Sequence, residues 1–159
     1  MARRLGDDHE HTLEIAHCLS WALAATGRRA QARDLAQDVL GRRRRVLGQD
    51  HPATLNSAHN LALYLCLLGD VQAAHDLARD TLDRCRRVLG EDHRATLDSA
   101  SHLAAILRGL GEVRAARDLD QDTLDRRRRI LGEDHPDTLE SADDLAADLR
   151  GPFTGESPD

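Results

Sequence analysis

The sequence contains no lysine: all 22 basic residues among its 159 are arginine. With 28 acidic residues the formal net charge is -6, which gives no electrostatic reason to expect a nucleic-acid partner. The few aromatic residues, one Trp, one Tyr and one Phe, suit helices packed through Leu and Ala rather than a sheet. No apolar run approaches the ~18–20 residues that span a bilayer. We therefore expect a cytoplasmic protein that has no membrane partner.

Motifs for catalysis and metal binding are also missing. Cys18, Cys66 and Cys85 are odd in number and show no Cys-x-x-Cys spacing, so neither a disulfide framework nor a zinc knuckle is indicated. The sequence has no Gly-x-Ser-x-Gly elbow, no phosphate-cradling glycine loop and no His-Glu-x-x-His motif. We expect no enzyme, no cofactor and no metal.

What the chain does contain is a repeat. Leu-Gly, then Asp-His, then Thr-Leu recur from Leu5, Leu47, Leu89 and Leu131, at intervals of 42 residues. A fixed period of about 20–50 residues is typical of stacked repeat proteins. The predicted organisation is a leader over 1–4, repeats over 5–46, 47–88 and 89–130, a half-repeat capping helix over 131–150, and a disordered tail over 151–159.

Each repeat predicts two antiparallel helices, here called A and B. In the second repeat, apolar residues recur at helical spacing after Pro52, at Leu55, Ala58, Ala62 and Leu65. Gly69 is expected to end helix A, and Asp70 to cap helix B. Neither helix can bury its apolar stripe alone, so stacking of successive pairs must supply the core.

The repeated histidines and arginines each allow two interpretations. The Asp-His histidines lie one repeat apart, too far for the ~2 Å ligand distances of one metal ion, so a role in loops and helix caps is favoured. Arginine runs recur near the ends of the B helices. They form either a stripe for phosphate or acidic peptides, or structural pairs with the aspartates four residues earlier. The charge balance favours the structural interpretation. The relevant pairs would be Asp38 with Arg42, Asp80 with Arg84, and Asp122 with Arg126.

The string Leu-Gly-Glu-Asp-His-Pro-x-Thr-Leu, followed by Asn-Leu-Ala and a closing Arg-Arg-Val-Leu-Gly, resembles the 42-residue tetratricopeptide repeats of the kinesin light chain type. The resemblance covers about residues 5–150. It implies an all-α, right-handed superhelix, an α-solenoid, whose A helices line a concave groove for peptides or partner helices. It also implies large packing residues at Leu19, Leu61, Leu103 and Leu145, and at Leu23, Leu65, Leu107 and Leu149.

The resemblance implies a set of groove-lining positions on the A helices. They are Glu14, His17, Cys18, Trp21, Asn56, His59, Asn60, Leu63, Asp98, Ser101, His102, Ala105 and Arg108. Only Asn60 keeps the asparagine that binds peptide backbone in the family. Trp21 is interpreted either as a groove anchor or as a packing residue between repeats. Asp120 replaces the alanine of the other B helices, so either it faces solvent or the third repeat is locally loosened.

These patterns predict a protein-interaction scaffold that holds a partner peptide or helix on the concave A-helix face. The alternative is a regulatory or assembly part. It would be either the sensor segment of a larger nucleotide-binding switch protein, or a homo-oligomerisation unit joined through its uncovered N-terminal end.

Overall fold

The computed structural model describes Gly6 and residues 8–150, without the Asp148 side chain, so the predicted leader and tail lie outside it. The described residues form seven helices and no strand, which confirms the all-α prediction. The helices are α1 (Glu10–Ala25), α2 (Arg29–Leu47), α3 (Pro52–Leu67), α4 (Val71–Leu89), α5 (Arg94–Gly109), α6 (Val113–Leu131) and α7 (Pro136–Arg150).

The helices stack in chain order. Each packs extensively against the helices before and after it, whereas α1 and α3, or α3 and α5, touch at only a few places. The apolar core therefore runs along the stack as a series of local contacts, as in other helical solenoids. Alanines at one B-helix position, Ala32, Ala74 and Ala116, are fully buried and let the helices approach closely.

The repeated histidines begin the A helices. His51 precedes Pro52 with an extended backbone, and its Nδ1 accepts a hydrogen bond from the backbone N–H of Ala53 at 3.2 Å. His9 and His93 cap α1 and α5 in the same way. The cap role is therefore confirmed, and it accounts for the repeated histidine because the first N–H groups of a helix lack partners within it.

The expectation that Asp70 caps α4 with its side chain is wrong. Asp70 occupies the N-cap position, but its carboxylate makes no capping hydrogen bond and its backbone is not extended. The turn is closed by the backbone instead: the Asp70 N–H donates to the Leu65 carbonyl at 3.0 Å. Gly69 permits this geometry because its φ is +86°.

Six of the eight implied packing residues are buried or half-buried, and two are exposed. Leu61, Leu103 and Leu145 are buried, whereas Leu19 on α1 and Leu149 on α7 are exposed. For these two residues the implied role is wrong. Among the described residues α1 is the first helix and α7 the last, so each lacks one of the two neighbouring helices that an inner helix contacts.

The arginine runs are largely structural, as favoured above. Arg84 bonds Asp80 four residues earlier and also Asp50 in the loop before α3, with both distances 2.8 Å. Arg126 bonds Asp122 and Asp92 in the same pattern. These hydrogen bonds lower the pKa of Asp50 and of Asp92. The B helix thereby holds the loop that starts its own repeat.

Both sequence interpretations of Asp120 are wrong. The residue does not face solvent, and the third repeat is not loosened around it. It is only 1 % exposed, and its carboxylate accepts a hydrogen bond from Nη1 of Arg108 at 2.5 Å. Arg108 lies on α5 and also approaches Asp144 of α7 at 3.9 Å. The acidic residue is stabilised by an arginine at a position where the first two repeats have Ala24 and Cys66.

This pair predicts a non-additive effect on stability. Replacing Arg108→Met should lower the free energy of unfolding by about 3 kcal/mol, because the buried Asp120 carboxylate loses its guanidinium. Adding Asp120→Ala should recover most of that loss, since Ala36 and Ala78 occupy the equivalent positions. Urea denaturation of both variants measures this. A double variant no more stable than Arg108→Met would contradict the pairing.

Candidate functional site

The predicted groove residues lie on α1, α3 and α5, and none of them is buried. We call their shared surface the A-helix face. Trp21 is 64 % exposed, so it does not fill a gap between the described helices, and its role as a groove anchor stays a prediction. Leu63 stands at the equivalent position on α3 and is also exposed. Cys18 and Ala105 are exposed as well.

Side-chain contacts join the A helices across this face. The Asn60 amide donates to Nε2 of His17 at 3.2 Å, connecting α3 to α1. The rings of His59 and His102 meet edge to face with centroids 3.9 Å apart, connecting α3 to α5. The structure thus brings together four of the predicted residues in two contacts. The two contacts are equivalent by the repeat, because each joins residues 43 positions apart on successive A helices.

Two buried arginines lie beneath the face and were not predicted. Arg43 on α2 is 2 % exposed. Its Nη1 donates to the Ala53 carbonyl at 3.0 Å and to Ser57 Oγ at 2.9 Å, and its Nη2 donates to Glu14 at 2.5 Å. A buried charge is costly unless it is paired and hydrogen-bonded, and here both conditions are met. Arg43 therefore joins α1, α2 and α3.

Arg127 on α6, in the third repeat, makes the same arrangement of hydrogen bonds. Its Nη1 donates to the Asp137 carbonyl at 3.0 Å and to Ser141 Oγ at 2.7 Å, and its Nη2 donates to Asp98 at 2.7 Å. The sequence separations are 10, 14 and 29 residues, as for Arg43. Two predicted groove carboxylates, Glu14 and Asp98, are therefore already engaged by arginines of the chain.

The middle repeat differs at this position. Cys85 stands where Arg43 and Arg127 stand in the neighbouring repeats, and Asn56 stands where they have Glu14 and Asp98. The Cys85 thiol lies 3.7 Å from Ser99 Oγ. A cavity of about 260 Å³ occupies the region between α3, α4 and α5, with Asn56, Cys85, Ala95 and Ser99 among its lining residues.

A second, smaller cavity adjoins the first and shares His59 and Ser99 with it. It measures about 80 Å³, and its wall is mostly apolar, with Leu63, Ala105 and Ile106 among the lining residues. A neighbouring pocket is lined by His59 and by five further predicted groove residues, namely Asp98, Ser101, His102, Ala105 and Arg108. The A-helix face is thus indented between α3 and α5.

Two histidines on this face, His17 and His59, have lowered pKa values that favour the neutral form. Burial, and secondarily the neighbouring His102, lowers the pKa of His59 to about 4. Burial, and secondarily Arg43, lowers the pKa of His17. Burial also raises the pKa of the Cys85 thiol. At neutral pH these groups act as polar lining and not as charges.

Candidate metal sites and membrane spans are likewise not found where the structure is described. Residues 8–150 contain no group of three or more His, Cys, Asp or Glu side chains placed to hold a metal ion. In that same part of the chain, no helix has the length and apolarity needed to cross a membrane.

Sequence comparison identifies the family. A sequence model of the tetratricopeptide repeat matches residues 12–53, 54–95 and 96–137, so the chain belongs to the tetratricopeptide repeat family. Its three matched units have the 42-residue length predicted above, set in a different phase from the boundaries proposed there. No curated protein matches the chain in sequence.

Solved structures of kinesin light chain-like repeats share the fold. The nearly identical TPR-like repeats of a kinesin light chain-type protein from Podosopora anserina are 27 % identical, with a TM-score of 0.82, over 87 % of this chain and 65 % of that one. BtubC (BKLC) from P. vanneervenii is 18 % identical, with a TM-score of 0.82, over 93 % of this chain and 59 % of that one. The chain thus spans less than two thirds of either structure.

The residues that sequence analysis missed were visible in the repeat alignment. Cys85 interrupts an arginine run that continues unbroken at Arg43 and Arg127, and Asn56 replaces a carboxylate in the same repeat. A paired departure of this kind signals two positions in contact. The signal in the sequence is that both departures occur in the same repeat, at two positions that vary together across the three repeats.

The lowered pKa of His59 predicts a pH-dependent stability. Between pH 6.5 and about 4 the unfolded state takes up the proton first, so the free energy of unfolding should fall as the pH is lowered through this window. The contribution of His59 amounts to up to about 3 kcal/mol. Replacing His59→Gln should flatten the dependence, as measured by urea denaturation across the pH range. Equal slopes in the variant and the wild type would contradict the assignment.

Proposed function

We propose that the protein is a non-catalytic scaffold that binds a segment of a protein partner on the A-helix face. The observation that carries the proposal is the apolar indentation between α3 and α5, with exposed Leu63 beside it and exposed Trp21 one repeat away. Large exposed apolar side chains next to a cavity are the usual anchors of protein recognition. Tetratricopeptide repeats support a partner of this kind.

The chemistry of the face defines the partner segment in outline. Glu14 and Asp98 are paired with buried arginines, and His17 and His59 are neutral at physiological pH, so little free charge remains on these positions. Apolar side chains of the partner would therefore supply most of the binding energy. The net charge of -6 favours a segment that carries some positive charge.

The state of the cysteine supports a non-catalytic role. A nucleophilic cysteine needs a lowered pKa, because the thiolate is the reactive form. Burial raises the pKa of Cys85, and its thiol faces Ser99 Oγ, which is not a base. The cavity that contains Cys85 is therefore suited to binding.

Binding on this face predicts a selective loss of partner capture. Trp21→Ala/Leu63→Ala should reduce recovery of a specific partner by at least about tenfold, since each truncated anchor costs about 1 kcal/mol or more. The matched control is Val88→Ala/Ile130→Ala, which shortens two similarly exposed residues on B helices. Both variants are checked for folding by circular dichroism. Equal loss in the two variants, or no loss, would contradict the proposal.

The N-terminal end supports a second candidate, self-association. Ile15 is 69 % exposed and Leu19 is 52 % exposed on the outer side of α1. At the position of Ile15, later A helices carry the buried serines Ser57, Ser99 and Ser141. An exposed isoleucine in that place favours coverage by an apolar surface, for which a second copy is a candidate. The sensor-segment alternative stays a prediction from the sequence alone.

Self-association through α1 predicts a change in assembly. Replacing Ile15→Ser/Leu19→Ser should convert a dimer into a monomer, because the shared apolar area is removed. Analytical ultracentrifugation over a concentration series measures this, with Val88→Ser/Ile130→Ser as the control. A wild-type protein that stays monomeric throughout the series would rule the candidate out.

A further inference from the structure

The middle repeat keeps the hydrogen-bond acceptors of a buried arginine but not the arginine. In the first and third repeats, one Nη1 group donates to a backbone carbonyl and to a serine hydroxyl. The residues at the same separations from Cys85 are Ala95 and Ser99, and both line the 260 Å³ cavity. The repeat thus holds a carbonyl and a hydroxyl in the register that binds a guanidinium elsewhere in the same chain.

The third acceptor is also present in altered form. The other two arginines donate from Nη2 to Glu14 and to Asp98. Asn56 stands in the corresponding place and lines the cavity, and its side-chain oxygen can accept a hydrogen bond without requiring a permanent positive partner. The cavity opens to the surface beside Asn56, Pro52 and His93, all of which are exposed.

We propose that this cavity binds the guanidinium of an arginine from the partner segment, and we call it the arginine socket. The proposal rests on the function proposed above and specifies one side chain of the partner. The guanidinium would enter where Arg43 and Arg127 place theirs, donating to the Ala95 carbonyl, to Ser99 Oγ and to Asn56.

Charge and shape both favour arginine over other side chains. Asp98 lines the socket and, although it bonds Arg127, contributes a nearby carboxylate. A planar guanidinium presents fixed pairs of N–H donors that match acceptors on two sides, whereas a lysine ammonium is a single point donor. An apolar side chain would make no hydrogen bond with the carbonyl and hydroxyl of the socket.

The apolar cavity beside the socket extends this specificity. It shares His59 and Ser99 with the socket and is about 80 Å³ in volume. A segment that places an arginine next to a small apolar side chain would fill both cavities. The two cavities between α3 and α5 are therefore expected to bind a partner segment that contains an arginine and a small apolar residue side by side.

The test uses the wild-type chain and two small probes, N-acetyl-arginine methylamide and the matched N-acetyl-lysine methylamide. Their binding is followed by NMR chemical shifts of backbone amides near Asn56, Ala95 and Ser99. We expect saturable shifts with the arginine probe and at least about tenfold weaker binding of the lysine probe. No saturable shift, or equal affinity for both probes, overturns the proposal.

Two variants identify the place of binding. Cys85→Arg should fill the socket with an arginine of the chain and abolish the shifts, and Asn56→Asp/Cys85→Arg should rebuild the arrangement of Asp98 and Arg127. The double variant should unfold at or above the wild-type temperature, because it restores a bonded arginine. A marked fall in that temperature, or probe binding that persists in Cys85→Arg, overturns the assignment.

Ser99→Ala gives an independent measurement that involves no introduced arginine. Loss of one acceptor should weaken the arginine probe about fivefold, which corresponds to one ordinary hydrogen bond. Unchanged affinity counts against the socket. The probe requires no partner, so its result is separate from the capture experiment: probe binding with no effect of Trp21→Ala/Leu63→Ala would retain the socket and reject the proposed partner site.

Discussion

A buried guanidinium that joins three helices sets the relative position of those helices in the first and third repeats of this stack. Arg43 contacts the A helix of its own pair through Glu14 and the next A helix through Ser57 and a backbone carbonyl. Leu and Ala contacts supply the apolar burial, but they are non-directional and tolerate sliding. Unpaired burial of a charge is costly, so only one relative position of the three helices satisfies the arginine. We infer that the apolar core drives stacking and the arginine fixes its geometry.

Departures from the repeat come in compensating pairs, and this shows how the stack tolerates variation. Asp120 is accommodated because Arg108 faces it, and the missing arginine at Cys85 coincides with a missing carboxylate at Asn56. Either change alone would remove the opposite charge from the neighbourhood of one charged side chain. The unit of variation is therefore a contact between helices, not a position on one helix.

The sequence predicts helices, turns and exposed faces well because these follow from periodicity along the chain. The seven helices and the histidine caps were accessible in this way. The thirteen groove positions came instead from the family resemblance, and the structure shows only that none of them is buried. Contacts between residues 29 apart, such as Arg43 with Glu14, are not encoded in helical period. For the same reason Asp120 was interpreted from its own helix, whose neighbours give no sign of Arg108. The implied packing role of Leu19 was wrong because alignment of the repeats assumes a neighbouring helix on both sides of every A helix.

The cavity in the middle repeat links stability to binding. In a repeat that contains the buried arginine, the backbone carbonyl and the serine hydroxyl already accept its hydrogen bonds. These acceptors are therefore not available to a partner. The middle repeat lacks that arginine, so α3, α4 and α5 are joined by fewer polar contacts. The corresponding acceptors line a cavity that opens to the surface. Binding of an external guanidinium would restore the missing clamp, so occupancy of the socket and rigidity of the middle repeat should rise together. In the proposed socket, the guanidinium of the partner uses the same kinds of acceptor, a backbone carbonyl and a serine hydroxyl, that Arg43 and Arg127 bind within the chain.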